Sequence, residues 1–149
     1  ACADAGRGAH FALSYDGEIR WSAGGASGGQ GEDDPDDVLV RDAVNVHQTG
    51  DKGLGPALGP AAAAVAARLF RSARYTTRLL PSPWRLGAAD AALVRRLIDG
   101  WEAAAATVRP GDAGRIHAWA ARRRATVADG RFTLRVGHRD LLALPHEGS

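Results

Sequence analysis

Residues 45–60, which read NVHQTGDKGLGPALGP, constrain the fold of this chain more than any other segment. Its four glycines and two prolines allow neither a helix nor a strand to continue through it. The polar half of the segment places His47, Gln48, Asp51 and Lys52 within six positions. A polar cluster followed by a Gly/Pro-rich loop is typical of a binding site, and an ordinary surface connection is the alternative interpretation.

Composition indicates a globular protein. A length of 149 residues suits one domain with its own core, and 45% of the residues are apolar. No apolar run reaches the roughly 18 residues that a membrane-spanning helix needs, and no signal peptide is visible. The single cysteine, Cys2, excludes an internal disulfide. We therefore expect a cytoplasmic protein without a membrane segment.

Charge is distributed unevenly along the chain. Residues 1–60 contain 4 basic and 10 acidic side chains, a net charge of −6, whereas residues 61–149 contain 15 and 7, a net charge of +8. Such asymmetry is typical of some nucleic-acid-binding surfaces. Arginines on solvated helix faces are the interpretation we favour, because Arg122, Arg123 and Arg124 are adjacent on a predicted helix and cannot all face one phosphate backbone.

The beginning of the chain predicts a β-hairpin. Residues 10–15 have the apolar character of a buried strand, and residues 18–21 form a short second strand. Between them, Asp16 and Gly17 form a typical turn sequence.

A mobile Gly/Asp-rich insertion is expected next, at about residues 22–37. The acidic residues near its end do not have the spacing of a calcium-binding loop. They favour the N-terminus of a helix over residues 38–44, because carboxylates interact well with the positive end of a helix dipole.

The rest of the chain alternates between helical and β periodicity. Leu69 and Leu93 are among the predicted buried positions of the first two helices in this part. Gly137 marks a bulge or a tight turn in the last strand, which continues through residues 140–145. The order of elements predicts a layered α/β fold. The predicted helices cover residues 61–74, 88–108 and 114–128, and the predicted strands cover residues 75–80 and 131–136.

The sequence contains few of the residue combinations that catalysis uses. The five histidines form no His-x-x-x-His pair, and we predict no metal site. His47 with Asp51 has the chemistry of a general acid–base pair, and Lys52 is able to meet an anionic substrate group. Tyr15, with Asp16, follows a strand at the end where ligands bind in open α/β sheets. No catalytic residue is assigned.

Four segments resemble, in the same order, segments of a group of bacterial class I S-adenosylmethionine-dependent methyltransferases. The resemblance extends over nearly the whole chain, from Phe11 to Pro145. The segments are SYDG at residues 14–17, HQTGDKGLGPALGP at residues 47–60, WRLG at residues 84–87 and VGHRDLLALP at residues 136–145.

The resemblance implies a Rossmann-like α/β fold, of which residues 1–149 are one partial domain. In that group a mostly parallel, seven-stranded sheet lies between helices, and its last strand is antiparallel. Residues 11–15 would be the fifth strand, residues 75–80 the sixth and residues 131–144 the seventh. The chain thus resembles the C-terminal half of such an enzyme, strands 5-6-7 with flanking helices.

The same resemblance implies a methyltransferase fragment that lacks the half binding S-adenosylmethionine. The Gly-rich turn after the first strand has no counterpart here, so no cofactor-binding residue is expected in this chain. The insertion after the fifth strand often holds the methyl acceptor in such enzymes. Alternatively, Asp51 and Lys52 pair with charged residues elsewhere and only hold the loop. The residues expected on the acceptor side are Tyr15, Asn45, His47, Gln48, Asp51 and Lys52.

Two classes of function therefore compete. The first is an enzyme fragment that is inactive as an isolated chain and self-associates through an uncovered sheet edge. The second is a non-catalytic α/β binding module that contacts nucleic acid through its arginine-rich C-terminal part. We favour the first, with an unidentified small-molecule or macromolecular acceptor and with no membrane or nucleic-acid partner.

Overall fold

The structure, a computed structural model, describes residues 6–23, 34–51 and 53–146. These residues form a mixed α/β fold, which confirms the predicted class. In chain order the elements are β1 (Ala9–Ala23), α1 (Asp37–Gln48), α2 (Ala62–Ser72), β2 (Tyr75–Pro81), β3 (Trp84–Leu86), α3 (Ala91–Val108), α4 (Ala113–Asp129) and β4 (Phe132–Pro145).

Strand β4 is the centre of an open antiparallel sheet. It pairs along one side with β1 and along the other side with β2 and β3. Leu141 of β4, for example, lies between Phe11 of β1 and Leu79 of β2. Because both neighbours are antiparallel to β4, β1 and β2 run parallel to each other. Within the described residues, β1 forms one edge of the sheet.

The hairpin predicted at Asp16 and Gly17 is wrong, because β1 is one continuous strand. Both halves of β1 pair with the same side of β4, and their register shifts between Tyr15 and Ile19. Gly17 has a φ of +95°, a conformation that glycine adopts without a steric penalty. The backbone therefore bulges outward and returns to the same ladder instead of reversing.

Gly137 lies opposite this bulge. The sequence left open a bulge or a tight turn at Gly137, and β4 runs through it without a turn. The bulge is in β1 instead, where the register places residues 16–18 against this one position of β4. A residue without a side chain leaves the room that the extra residues of β1 occupy.

One face of the sheet carries the main hydrophobic core. Side chains alternate between the two faces along β4, and Leu134 and Val136 point to the same face. They join Ile98 of α3 together with Ile116 and Trp119 of α4, all of which are buried. Helix α1 completes this layer by packing along α3.

The opposite face of the sheet carries α2. Leu141 and Ala143 have the other parity along β4, and both are fully buried. Ala67 of α2 is also fully buried, and Phe70 of α2 meets Tyr75 of β2 edge-on, with ring centroids 5.2 Å apart. The sheet is therefore covered on both sides, by three helices on one and by one on the other.

The predicted helices are present, but one predicted buried position is wrong in each of two helices. Leu69 and Leu93, both predicted to be buried, are 61% and 40% exposed. Ala67 and Val94 occupy the buried faces instead. Smaller side chains at the contact allow the helix axes to come closer to their neighbours, which periodicity alone does not show. None of the described helices has the length and apolar character to cross a bilayer.

The acidic residues before α1 bind α4 instead of capping their own helix. Residues 24–33 of the predicted insertion lie outside the described residues, and Asp34 to Asp36 form a turn before α1. Asp36 is the N-cap residue of α1, yet its side chain makes no capping hydrogen bond. Arg122 donates to Asp34 and to Asp36, and Arg115 donates to Asp36 at 2.6 Å.

A second contact between the same helices is buried. Arg123 and the Trp119 Nε1–H both donate to the Asp37 carboxylate, the latter at 2.7 Å. The Arg123 guanidinium also lies 4.8 Å from the centroid of the Trp21 ring, where a cation–π interaction is favourable. The solvated arginine face predicted for residues 122–124 is thus wrong at Arg123, which is 6% exposed.

Candidate functional site

The bulge in β1 brings three distant segments together. Tyr15, the last residue before the bulge, lies directly opposite His138 of β4. Trp84 of β3 reaches the same place from the other side of β4, where it pairs with Val136. Bulges interrupt the hydrogen-bonded ladder and redirect side chains, which is why they often occur beside functional sites.

Asn45 of α1 joins its helix to the bulge. The Tyr15 hydroxyl donates to Asn45 Oδ1 at 2.9 Å, and Asn45 Nδ2 donates to the Gly17 carbonyl at 3.1 Å. A Cβ atom on Gly17 would lie 3.2 Å from the Cβ of Pro60, so the turn that precedes α2 is also close. One amide side chain therefore fixes α1 against β1, and the predicted residues Tyr15 and Asn45 meet.

The Tyr15 phenol is held in its protonated form. Burial raises the pKa of Tyr15 well above its ordinary value, and the neighbouring Asp16 carboxylate raises it further. A phenol that keeps its proton remains a hydrogen-bond donor to Asn45 at every physiological pH. Tyr15 thus acts as a neutral donor and not as a base.

The Asp16 side chain lies over Gly137. A Cβ atom on Gly137 would be 2.0 Å from Asp16 Oδ1 and 2.7 Å from the Cβ of Glu18. Asp16 also accepts a hydrogen bond from the Glu18 backbone N–H at 3.2 Å and lies 3.7 Å from the Nε of Arg139. The Asp16 carboxylate therefore occupies the space that a side chain at position 137 would fill.

His138 is the site residue whose position the sequence did not establish. Its ring is 7% exposed and lies 4.8 Å from the Trp84 ring and 6.2 Å from the Tyr15 ring, measured between centroids. His138 Nδ1 is 3.1 Å from the Val136 carbonyl, which accepts hydrogen bonds only. In the neutral ring Nδ1 therefore carries the proton, and Nε2 offers a lone pair.

The signal for His138 and Trp84 was present in the sequence only as a resemblance. Both lie in segments that resemble the methyltransferases, but a single histidine after a glycine and a single tryptophan between prolines and an arginine predict no chemistry by themselves. The contact between Trp84 and His138 forms because β3 pairs with β4 near His138. Tyr15 joins them because β1 pairs with the same part of β4 from the other side.

The remaining predicted residues lie along the end of α1 and the loop after it. His47 is half-buried in the last turn of α1, and Gln48, the final residue of that helix, is exposed. Asp51 Oδ1 accepts hydrogen bonds from the backbone N–H groups of Gly53 and Gly55, at 2.7 and 3.0 Å. Lys52 lies outside the described residues.

Asp51 therefore stabilises the loop in which it lies. The alternative interpretation from the sequence, in which Asp51 holds the loop, describes this geometry, although the partners are backbone amides and not arginines. The two glycines have φ values of +96° and +90°, which lets both amides turn toward one oxygen. The loop tip is occupied by Leu54, whose side chain is fully exposed.

The three consecutive arginines of α4 are occupied by carboxylates. Arg122 and Arg123 bind the turn before α1 and its first residue, as described above. Arg124 donates to Asp99 and to Glu102 of α3. Glu102 also contacts Nδ1 of His117 at 2.8 Å, and that exposed pair lies away from the bulge. These side chains hold helices together and leave little charge for an external partner.

Comparison with known proteins does not identify a family for this chain. No protein-family model, no curated protein and no solved structure matches this chain. Around the bulge, Trp84 provides an aromatic face and His138 provides an imidazole lone pair. Tyr15 and Asn45 are bonded to each other, and Asn45 also bonds to the backbone of the bulge.

Proposed function

We propose that this chain is the acceptor-side half of an S-adenosylmethionine-dependent methyltransferase. The observation that carries the proposal is the direction of the last strand. β4 is last in sequence, lies between β1 and β2, and is antiparallel to both. The resemblance implies an antiparallel last strand, and it places β1, β2 and β4 as the fifth, sixth and seventh strands.

The convergence of the resembling segments gives further support. Tyr15, Pro60, Trp84 and His138 come from four segments that are widely separated in sequence. Tyr15 and Trp84 both contact His138, and Pro60 packs against Gly17. Segments that serve one site must meet in space, and these segments meet at the bulge.

The residues at the bulge suit the positioning of a methyl acceptor. Methyl transfer depends largely on holding the acceptor atom in line and excluding water, so it needs no strong acid or base. In this proposal the Trp84 ring forms one wall, and His138 Nε2 accepts a hydrogen bond from the acceptor. Asn45 and Tyr15 fix the bulge that carries the site, and Asp51 shapes the loop beside it.

The chain itself does not fit the cofactor. Binding of an adenosyl group in such a fold requires a Gly-rich loop between a strand and a helix, where backbone N–H groups face the ligand. The Gly-rich segment between β1 and α1 reads GGASGGQG at residues 24–31, and it lacks the acidic-x-Gly-x-Gly spacing of such a loop.

The first test extends the reading frame upstream of Ala1. We expect that sequence to encode a strand followed by an acidic-x-Gly-x-Gly loop. The extended protein should bind S-adenosylhomocysteine in isothermal titration calorimetry, and the 149-residue chain should not. An upstream sequence without such a loop, or an extended protein that binds no cofactor, would contradict the proposal.

The second test concerns the acceptor side. In the extended protein, we expect His138→Gln and Trp84→Leu to abolish transfer of a labelled methyl group to a cell extract while cofactor affinity stays unchanged. Alanine at His47, Asp51 and Lys52 tests the loop in the same assay. Arg96→Gln, at an exposed position on α3, is the control. Normal transfer by all of these variants, with normal stability, would place the acceptor site elsewhere.

A further inference from the structure

The arginines of this protein fall into two groups with different surroundings. Those of α4 are paired with carboxylates, as described above. Between Asp51 and Asp90, in contrast, the sequence has no acidic residue. The same segment contains Lys52 and the arginines at positions 68, 71, 74, 78 and 85.

These five arginines have no counter-charge within the described part of the chain. All five are exposed, and none lies within 4.0 Å of a described carboxylate. Arginines in folded proteins remain charged at every physiological pH. The α2, β2 and β3 segments therefore present cations that no carboxylate of the described residues neutralises.

Three of the five, Arg68, Arg71 and Arg85, lie on the side of the sheet that carries α2. Arg68 and Arg71 are three positions apart on α2, a spacing that puts side chains on the same side of a helix. Arg71 also donates to the Thr77 hydroxyl of β2 at 2.9 Å, which fixes its guanidinium beside the sheet. Thr77 is the neighbour of Ala143, whose side chain points to the α2 face.

At the other end of this face, arginines from three strands form a row. Arg135 of β4 lies directly between Arg20 of β1 and Arg85 of β3. Glu18 is the one described carboxylate that binds members of the row, at 2.9 Å from Arg135 and 3.4 Å from Arg20. Like charges directly opposite each other destabilise a sheet, and Arg85 is the member of the row that has no ion pair among the described residues.

The two ends define one surface, which we call the arginine track: Arg20, Arg68, Arg71, Arg85 and Arg135. Ala143 and Arg135 are eight positions apart on β4, which corresponds to about 27 Å at about 3.4 Å per residue. A small anion touches one or two guanidinium groups. A track of this length matches several successive phosphates, because a nucleic-acid strand carries one charge per about 3.4 Å of helix rise.

We propose that the arginine track binds the phosphate backbone of a nucleic-acid strand. Guanidinium groups match phosphate oxygens in a bidentate geometry, which favours phosphates as the partner. A membrane surface would need apolar side chains to enter it, and on α2 Leu69 is the one large apolar side chain that is exposed. The proposal is independent of methyl transfer, and it reverses the expectation from sequence that nucleic acid is not a partner.

The test is fluorescence anisotropy with a labelled oligo(dT) of roughly 20 nucleotides, a length that spans the track. With phosphate contacts from the three unpaired members of the track, Arg68, Arg71 and Arg85, at about 0.7 each, we expect a salt slope of about −2 and a roughly twentyfold loss of affinity between about 50 and 200 mM salt. The double variant Arg68→Gln/Arg85→Gln should lower the affinity about tenfold and reduce the slope by about 1.4.

The matched control is Arg95→Gln/Arg96→Gln, which removes two exposed arginines from α3 on the other side of the sheet. It should bind within about twofold of the unmodified protein, and Arg68→Lys/Arg85→Lys should retain most of the affinity. Circular dichroism melting verifies that every variant is folded. Absence of saturable binding at low salt, equal losses in both glutamine variants, or tighter binding to phosphatidylserine vesicles than to the oligonucleotide would each overturn the proposal.

Discussion

At the scale of single residues, Gly137 is the described glycine at which an added Cβ atom would meet its closest neighbour, Asp16 Oδ1 at 2.0 Å. A flexible carboxylate is able to turn away from an added methyl group, but the Cβ of Glu18, 2.7 Å from the built position, moves only with the backbone of β1. The bulge beside Tyr15 therefore keeps this conformation only if residue 137 has no side chain.

We predict that Gly137→Ala destabilises the protein. Because β1 has to shift to accommodate the methyl group, the free energy of unfolding should fall by about 1–3 kcal/mol, the usual cost of overpacking. Urea denaturation followed by circular dichroism measures this change.

Gly100→Ala is the matched control for this substitution. Gly100 lies within α3, and a Cβ atom there would meet nothing within 4 Å. Alanine is favoured over glycine in a helix, so this variant should gain about 0.5–1 kcal/mol. A Gly137→Ala variant that is as stable as the unmodified protein would mean that the bulge is not packed as described.

At the scale of elements, charged pairs hold α1 against α4. The interaction of Arg122 with Asp34 joins residues 88 positions apart in sequence. The Arg122 hydrogen bond lowers the pKa of Asp34 below its ordinary value, so the folded state favours the charged carboxylate. The stabilisation from this pair is therefore present above the ordinary aspartate pKa, near 3.9, and disappears as the pH falls through the lower folded-state value.

We predict a pH-dependent difference between the unmodified protein and Asp34→Asn. At neutral pH the variant should lose about 0.5–1 kcal/mol, a small amount because the partly exposed Arg122 is screened by solvent. As the pH is lowered through the acidic range, the difference in free energy of unfolding should shrink toward zero. Urea titrations at several pH values measure it.

The control for this experiment is Asp129→Asn. Asp129 is exposed at the last position of α4 and has no ion pair among the described residues. Neutralising it should not destabilise the protein at any pH, since a negative charge at a helix C-terminus is unfavourable. A constant difference between Asp34→Asn and the unmodified protein across the pH range would show that the carboxylate is not titrating as inferred.

At the scale of the whole molecule, β1 leaves one side of the sheet open. It is 15 residues long and pairs with β4 alone within the described residues. An uncovered strand presents unpaired N–H and C=O groups to another chain. If the proposed function is right, the other half of the methyltransferase sheet covers this edge.

We predict that the isolated 149-residue chain self-associates through β1. Sedimentation velocity over a range of concentrations should show species larger than the monomer. Ala12→Lys places a charge at an exposed position of the edge strand and should shift the distribution toward monomer. Ala92→Lys, at an exposed position of α3, adds the same charge elsewhere and should leave the distribution unchanged.

A cooperative, reversible melting transition that does not depend on concentration, from a protein that sediments as a monomer, would contradict this prediction. Equal effects of the two lysine variants would show that charge, and not the strand edge, controls association.

The sequence by itself determined the four α-helices and the strands β2 and β4, because periodicity is a local property. The spacing of apolar residues located α3 and α4, and the alternation of Phe132, Leu134 and Val136 located β4. Even so, the buried position predicted at Leu69 of α2 was wrong, because the packing distance to the sheet decides which face of a helix is buried. The hairpin predicted at Asp16 and Gly17 was also wrong, because pairing with a distant strand decides whether a turn sequence reverses the chain.

Tertiary structure alone decided which segments meet. A turn sequence fixes a local bend, but pairing of both halves of β1 with β4 turned that bend into a bulge. Arg122, Arg124 and Arg68 are alike in sequence, and only their distances to carboxylates separate structural cations from exposed ones. These outcomes depend on hydrogen bonds and ion pairs between residues that are tens of positions apart, and such contacts form only when the chain is folded.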